Sequence, residues 1–317
     1  MTSFAFVFPG QGSQAVGMLD AWGDHPAVAE TLREASDALD EDVRHLIQQG
    51  PKETLALTTN TQPVMLVAGI AAWRAWLAEG GAKPSIVAGH SLGEYSALVA
   101  AGVLTLAQAA PLVRFRAQAM QQAVPVGTGA MAAILGMDAA KVKAGCAEAT
   151  ASFGAASVEI VEAVNFNDPM QTVIAGSKAA VDKACELLKA QGAKRALPLP
   201  VSAPFHSSLM KPAAEALRDR LASVGLAPPQ IPVLNNIDVA IETDPDRIRD
   251  ALVRQAAGPV RWVEGVLALK ARGVEIVVEC GPGRVLAGMA KRIAPELGAG
   301  SVYDPATLAQ TRQLLGG

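Results

Sequence analysis

The sequence predicts an α/β fold: a parallel sheet clad by helices, interrupted by a smaller unit with its own pattern. Three observations carry this. From Phe4 to Ala123, short apolar runs alternate with stretches of helical periodicity, the signature of parallel strands joined by helices. After Val126-Gly127 the order becomes strand, helix, strand, strand, helix, strand. Strand-like runs then resume at 231–234 and 276–279, so the second pattern reads as an insertion into the first.

The run Phe4-Ala5-Phe6-Val7-Phe8 is the first strand, followed by the turn Pro9-Gly10-Gln11-Gly12-Ser13-Gln14. No basic segment precedes it, so it is not expected to be a secretory signal. Helical periodicity covers 28–39 and 62–76. Ile86-Val87-Ala88 forms a strand that enters Gly89-His90-Ser91-Leu92-Gly93, and a helix over 94–101 leaves it. Another helix spans 106–123. In the inserted unit, strands are expected at 131–135, 158–164, 171–174 and 195–201, with helices at 139–151 and 179–191. Asn167-Asp168-Pro169 is expected to be the turn between its second and third strands. That order, βαββαβ, is ferredoxin-like. The domain division is therefore 1–127 with 199–317 for the large body and 128–198 for the small one, with a binding cleft between them.

Composition narrows the function classes. Half of the 317 residues are apolar, and the net charge is −3 with 4% aromatics, which argues against nucleic-acid binding. No apolar stretch reaches membrane-spanning length without a charge or a Gly/Pro break. Cys146, Cys185 and Cys280 are widely spaced, which fits reduced thiols in a cytoplasmic protein and shows no metal-ligand spacing.

The chemistry-bearing feature is G-x-S-x-G between a strand and a helix. Such an elbow holds its serine on a sharp, strained turn and projects the hydroxyl from the top of the sheet, as in α/β-hydrolase-like domains. A serine nucleophile needs a base. Of the four histidines, His25 and His45 sit in polar surroundings and read as surface residues. His90 adjoins the serine, points away from its hydroxyl and reads as packing behind it. His206, in Ala203-Pro204-Phe205-His206-Ser207, lies just past the inserted unit on a junction loop, the position expected of a base. A hydrolase would add a carboxylate between serine and histidine, but nothing marks Asp168 for this. A neutral group could instead fix the imidazole tautomer. On the helix from Leu106, Arg116 flanks the apolar stripe Leu106, Ala109, Val113, Ala117 and Met120. A cation there needs an anion, and both an internal carboxylate and a ligand carboxylate remain open.

Several segments occur together and in order: Gly10-Gln11-Gly12-Ser13-Gln14, Gly89-His90-Ser91-Leu92-Gly93-Glu94-Tyr95-Ser96-Ala97, Arg116-Ala117-Gln118-Ala119-Met120, Asn165-Phe166-Asn167-Asp168-Pro169-Met170-Gln171, Pro204-Phe205-His206-Ser207, and Gln255-Ala256-Ala257-Gly258-Pro259-Val260-Arg261-Trp262. In combination they resemble the malonyl-CoA:acyl carrier protein transacylases of the bacterial FabD type, from Phe8 to about Leu286. The resemblance implies that Ser91 takes malonyl from malonyl-CoA as an ester, with His206 as general base and then acid. It implies an oxyanion hole from Leu92 N–H and Gln11, a backbone carbonyl of Gln255 holding His206, and Arg116 on the malonyl carboxylate. Asn165, Phe205 and Met120 would line the cleft. In related polyketide acyltransferases a Phe before the histidine goes with malonyl over methylmalonyl.

The acceptor implied is the phosphopantetheine thiol of an acyl carrier protein, in fatty acid or polyketide synthesis, with no bound cofactor or metal. The enzyme is expected to be a cytoplasmic monomer. Lys194, Arg195, Lys291 and Arg292 are candidates for a basic docking patch, each also readable as an ordinary solvated residue. Two other readings stay open on the residues alone: a thioesterase or other serine hydrolase with the same elbow, and a non-catalytic module that binds carrier proteins.

Overall fold

The computed structural model describes residues 2–201 and 203–316. In chain order the elements are β1 (Phe4–Phe8), α1 (Pro26–Leu39), α2 (Val43–Gln49), α3 (Lys52–Ala56), α4 (Thr58–Ala78), β2 (Ile86–Gly89), α5 (Gly93–Ala100) and α6 (Leu106–Gln122). The inserted unit follows as β3 (Gly129–Leu135), α7 (Ala139–Ala151), β4 (Val161–Asp168), β5 (Gln171–Ser177), α8 (Lys178–Ala190) and β6 (Arg195–Pro198). The chain returns through α9 (Lys211–Ala222), β7 (Val233–Leu234), α10 (Pro245–Ala256), α11 (Trp262–Ala271), β8 (Ile276–Cys280), α12 (Val285–Ile293), β9 (Gly298–Val302) and α13 (Pro305–Leu314).

Five strands form a parallel sheet in the order β7-β2-β1-β8-β9. β1 is apolar throughout because helices cover both faces. Phe4, Phe6 and Phe8 face one way, where Phe6 meets Trp76 of α4 edge-on at 5.4 Å between centroids. Ala5 and Val7 face the other, against Val266 and Leu286. α4 is apolar around its whole circumference, as a helix buried on every side must be.

The second sheet is antiparallel, in the order β4-β5-β3-β6. Alternation along β3 divides its two faces. Ala132 and Ile134 pack under α7 and α8 with Val142, Ile174 and Leu188. Met131 and Ala133 face the opposite way and pack with Met120, Phe205 and Met210 of the large body. The small sheet therefore roofs a cleft. Main-chain bonds tie it down: Val260 N–H donates to Val164 O at 2.8 Å, and Phe166 N–H donates to Val260 O at 3.0 Å. At the far end of β4, Arg292 Nε donates to Asp168 Oδ2 at 2.7 Å.

Several expected bounds shift. α4 starts at Thr58, and Pro63, which suggests a helix start, sits inside the helix. The strand expected at 158–164 is β4, which runs on through Asp168, so the turn is Pro169-Met170 alone. Two register shifts, at Ala163/Asn165 and Phe166/Asp168, break its alternation and conceal its length. β6 stops at Pro198 rather than 201: Leu199 N–H still donates to Met131 O at 2.9 Å, but Val201 N–H turns back to Leu199 O at 2.8 Å. β9 has no strand signal, because Gly298-Ala299-Gly300-Ser301 has low β-propensity. His25 is an N-cap: its Nδ1 accepts from Ala27 N–H at 3.2 Å. The three cysteines are unpaired. Among the described residues no helix is long and apolar enough to cross a membrane.

Candidate active site

The turn between β2 and α5 is as tight as the motif requires. Ser91 has φ +53°, a region costly for a residue with a side chain. A Cβ on Gly89 would lie 1.9 Å from Gly93 C, and one on Gly93 would lie 2.0 Å from Phe8 O. Neither site admits alanine without moving backbone. The β1 turn is pressed against the same elbow, since a Cβ on Gly10 would lie 2.6 Å from His90 O.

His206 also has positive φ, +66°, and its ring reaches the serine. Ser91 Oγ and His206 Nε2 are 2.7 Å apart. On the far side of the ring, Nδ1 and the Gln255 carbonyl oxygen are 3.0 Å apart. A carbonyl only accepts, so Nδ1 carries the proton and Nε2 is free to accept from the serine hydroxyl. Burial, and then the Arg116 charge, pull the His206 pKa from 6.5 down to about 3. The resting imidazole is therefore neutral.

Arg116, on α6, is 2% exposed and points at the same hydroxyl. Its guanidinium donates to Gln62 Oε1 at 2.7 Å, Gln255 Oε1 at 2.9 Å and Ser91 Oγ at 3.3 Å. It sits over the Tyr95 ring at 5.4 Å. Among the described residues it has no carboxylate within ion-pair distance, and its Nε, also buried, has no partner. Every bonded acceptor is neutral, so the site presents a cation with no directly bonded carboxylate beside a paired serine and histidine.

A family model described as "Acyl transferase domain" matches residues 5–302. The malonyl CoA-acyl carrier protein transacylase of Escherichia coli (strain K12) is 53% identical over 315 residues, covering 99% of this chain and 100% of that protein. The chain belongs to the malonyl-CoA:acyl carrier protein transacylase family. Among solved structures, the acyl-carrier-protein S-malonyltransferase from Burkholderia pseudomallei 1710b is similar at TM-score 0.95 and 63% identity, covering 98% of this chain and 100% of that one. A structure described as a type II PKS acyl-carrier protein in complex with its malonyl-transacylase is similar at TM-score 0.95 and 50% identity, covering 99% and 100%.

The other residues singled out in this transacylase sequence are brought to the same cleft. Gln11, Leu92, Met120, Asn165 and Phe205 line it with Ser91, His206 and Arg116. Among the described residues neither Leu92 N–H nor Gln11 N–H has a protein acceptor, and Leu92 N–H stands at the α5 N-terminus. Asn165 Oδ1 is buried and unpartnered. His90 turns from the serine: its Nε2 lies 2.8 Å from Asn167 Oδ1, and its ring meets Trp262 edge-on at 5.5 Å. The cavity is about 120 Å³, below the roughly 300–1,000 Å³ of a drug-sized ligand, and suits a short acyl head rather than a whole coenzyme.

Two of the four basic candidates are engaged. Arg292 pairs with Asp168, and Lys291 donates to the carbonyls of Pro295 and Leu297. Lys194 and Arg195 are exposed.

Sequence reasoning missed Gln62, Glu94 and Asn236. Asn236 Oδ1 accepts from Ser91 N–H at 2.7 Å, and its Nδ2 donates to Gly89 O at 2.6 Å, bracing the elbow from β7. One signal was present for Gln62: an amide heading an otherwise apolar helix. Another was present for Asn236, which follows a strand's carboxyl end, where α/β sheets place their ligand-binding residues.

Proposed function

We propose that this acyltransferase moves a malonyl group from malonyl-CoA to the phosphopantetheine thiol of an acyl carrier protein, through a malonyl ester on Ser91. The observation that carries the reading is Arg116: a buried guanidinium without a carboxylate, bonded to the serine that would hold the acyl group. A malonyl group brings the missing anion with it, and a planar guanidinium binds a carboxylate through two parallel bonds.

The steps follow from the hydrogen bonds. Ser91 Oγ attacks the thioester carbonyl as its proton passes to His206 Nε2. The carbonyl oxygen becomes an oxyanion, for which Leu92 N–H and Gln11 are the donors within the cleft. Collapse breaks the carbon–sulfur bond, and the departing thiolate takes the proton from the imidazolium. The carrier thiol then repeats the sequence in reverse, giving its proton to His206 and leaving with the acyl group. Gln255 holds the ring through its carbonyl, without a full negative charge. That makes His206 a weaker base than one paired with aspartate. A thiolate leaving group tolerates this. No metal or redox group is called for in these steps. The complex of a structurally similar malonyl-transacylase with its carrier protein supports the choice of acceptor.

The experiment is an intact mass and a CoA-release trace on mixing enzyme with malonyl-CoA alone. The expected result is one malonyl adduct and a burst of one CoA per enzyme, cleared when phosphopantetheinylated carrier protein is added. The adduct should be missing in Ser91→Ala. Sustained multiple-turnover release of malonate without carrier would replace this reading with a hydrolase.

A further inference from the structure

Behind the serine, on the first turn of α5, lies a carboxylate that the transfer steps leave unused. Glu94 is 2% exposed, and its Oε2 accepts two hydrogen bonds, from Gln255 Nε2 at 2.9 Å and from the Asn236 N–H at 2.9 Å. Both partners lead to the reacting groups. Gln255 Nε2 also donates to Ser91 O at 3.0 Å, its Oε1 accepts from Arg116 at 2.9 Å, and its main-chain carbonyl holds His206. An amide side chain has one donor end and one acceptor end. Arg116 requires the acceptor end and Glu94 the donor end, so a single orientation satisfies both. A flipped amide would set NH₂ against guanidinium and C=O against carboxylate.

We propose that Glu94 is a positioning residue for acyl transfer: its carboxylate fixes the orientation of the Gln255 side chain and, through it, the placement of Arg116 about Ser91. The proposal rests on the transferase reading. A cation and an anion are thus buried on opposite ends of one amide, and the substrate carboxylate enters on the cation's free side. Burial raises the Glu94 pKa from 4.5 to about 7, opposed by the bonds from Gln255 and Asn236 and by the Arg116 charge, and assisted by Asp238. Tyr95 lies on the same helix, and Glu242 lines the small cavity that Glu94 borders with Leu98 and Asn235. Near neutrality Glu94 therefore changes between an anionic and a neutral hold on Gln255.

The test compares Glu94→Ala with Glu94→Gln, using malonyl-CoA and acetyl-CoA as donors and circular dichroism to normalise to folded protein. Acetyl has no carboxylate for Arg116 to bind. Glu94→Ala should lower malonyl kcat/KM about thirtyfold, the scale of a charge-assisted hydrogen bond, and lower the malonyl-to-acetyl ratio as well. Glu94→Gln keeps a neutral acceptor and should recover to within about fivefold of the parent. The parent rate should rise through about pH 7, while Glu94→Gln should stay flat from about pH 6 to about pH 8. Parent-like rates in Glu94→Ala, or malonyl and acetyl losses in one common proportion, overturn the proposal. Should Glu94→Ala not fold, the Glu94→Gln profile decides, and a surviving step near neutrality overturns it. A parent enzyme that forms no malonyl-Ser91 removes the transferase reading, and this proposal with it.

Discussion

At Arg116, one hydrogen-bond set serves two purposes. In the resting site the guanidinium is bonded by Gln62, Gln255 and Ser91, all neutral acceptors. Burial lowers its pKa from the ordinary 12.5, a measure of how poorly the charge is solvated. A donor with a free carboxylate relieves that cost, and an acetyl donor leaves it in place. Arg116→Ala should therefore lower malonyl kcat/KM by roughly tenfold to about 150-fold, the range of about 1.5–3 kcal/mol for charge-assisted bonds. The malonyl-to-acetyl ratio should collapse. Steady-state rates with both donors check this, and an unchanged ratio would show that Arg116 is a structural cation. At this scale Ser91, His206 and Arg116 were legible because each has a signature: an elbow, a loop histidine, a charge beside an apolar stripe. Glu94 had none, and Gln255 was reached only through the family resemblance. An acid in the first turn of a helix and an amide near the end of another look like solvated residues until their partners 161 positions away in sequence are known.

Among the elements, the elbow and β8 carry the least tolerance. Gly93 packs with a would-be Cβ 2.0 Å from Phe8 O, so Gly93→Ala must push α5 away from β1. Overpacking costs about 1–3 kcal/mol, and a clash with backbone belongs at the upper end of that range. The expected result is a lower denaturant midpoint together with loss of the malonyl adduct, because the serine moves with the helix. Glu279, at the end of β8, is fully buried, and its Oε2 accepts from Ala287 N–H at 2.9 Å while Oε1 has no partner. Burial raises its pKa from 4.5 to about 7, against the backbone bonds from the α12 N-terminus. The folded state then binds more protons than the unfolded chain between about pH 4.5 and about pH 7. Stability should fall as pH rises through that window, by about 3 kcal/mol for a shift of this size. Glu279→Gln should remove its share of the slope, read from urea unfolding at a series of pH values. An identical slope in the variant assigns the proton uptake elsewhere. The central strands and long helices were legible from apolar runs and periodicity. The bulged β4, the glycine-rich β9 and the start of α4 were not, because two register shifts, weak propensity and an interior proline each remove the signal that pattern reading depends on.

Over the whole molecule, the parallel sheet supplies the serine and the antiparallel sheet supplies the roof. The two meet through the Val164–Val260–Phe166 main-chain bonds and the Asp168–Arg292 pair. Asp168 is buried and its other oxygen accepts from Met170 N–H at 2.9 Å, so Asp168→Ala loses a turn bond as well as the pair. Stability should drop by about 1–3 kcal/mol, with the β4–β5 hairpin amides exchanging faster than those of β1. Uniform exchange across both sheets would mean that the pair does not tie the bodies together. The order βαββαβ and its insertion between strands of the first sheet could be read from sequence. The crossing bonds could not, since Val260 carries no side-chain signal for a main-chain contact.

Those bonds at Val260 also turn the cleft into a gauge. A roof stitched through its backbone resists lifting for a longer acyl chain, so Met131 and Phe205, which line the cleft, are expected to limit length. Charge and length are then judged by separate parts of the protein. An acetyl thioester is short enough but brings no carboxylate for Arg116, so slower transfer than malonyl is the expected outcome. A succinyl thioester brings the carboxylate with one carbon more, and a competition assay against malonyl-CoA should show it transferred more slowly. Malonyl passes both inspections.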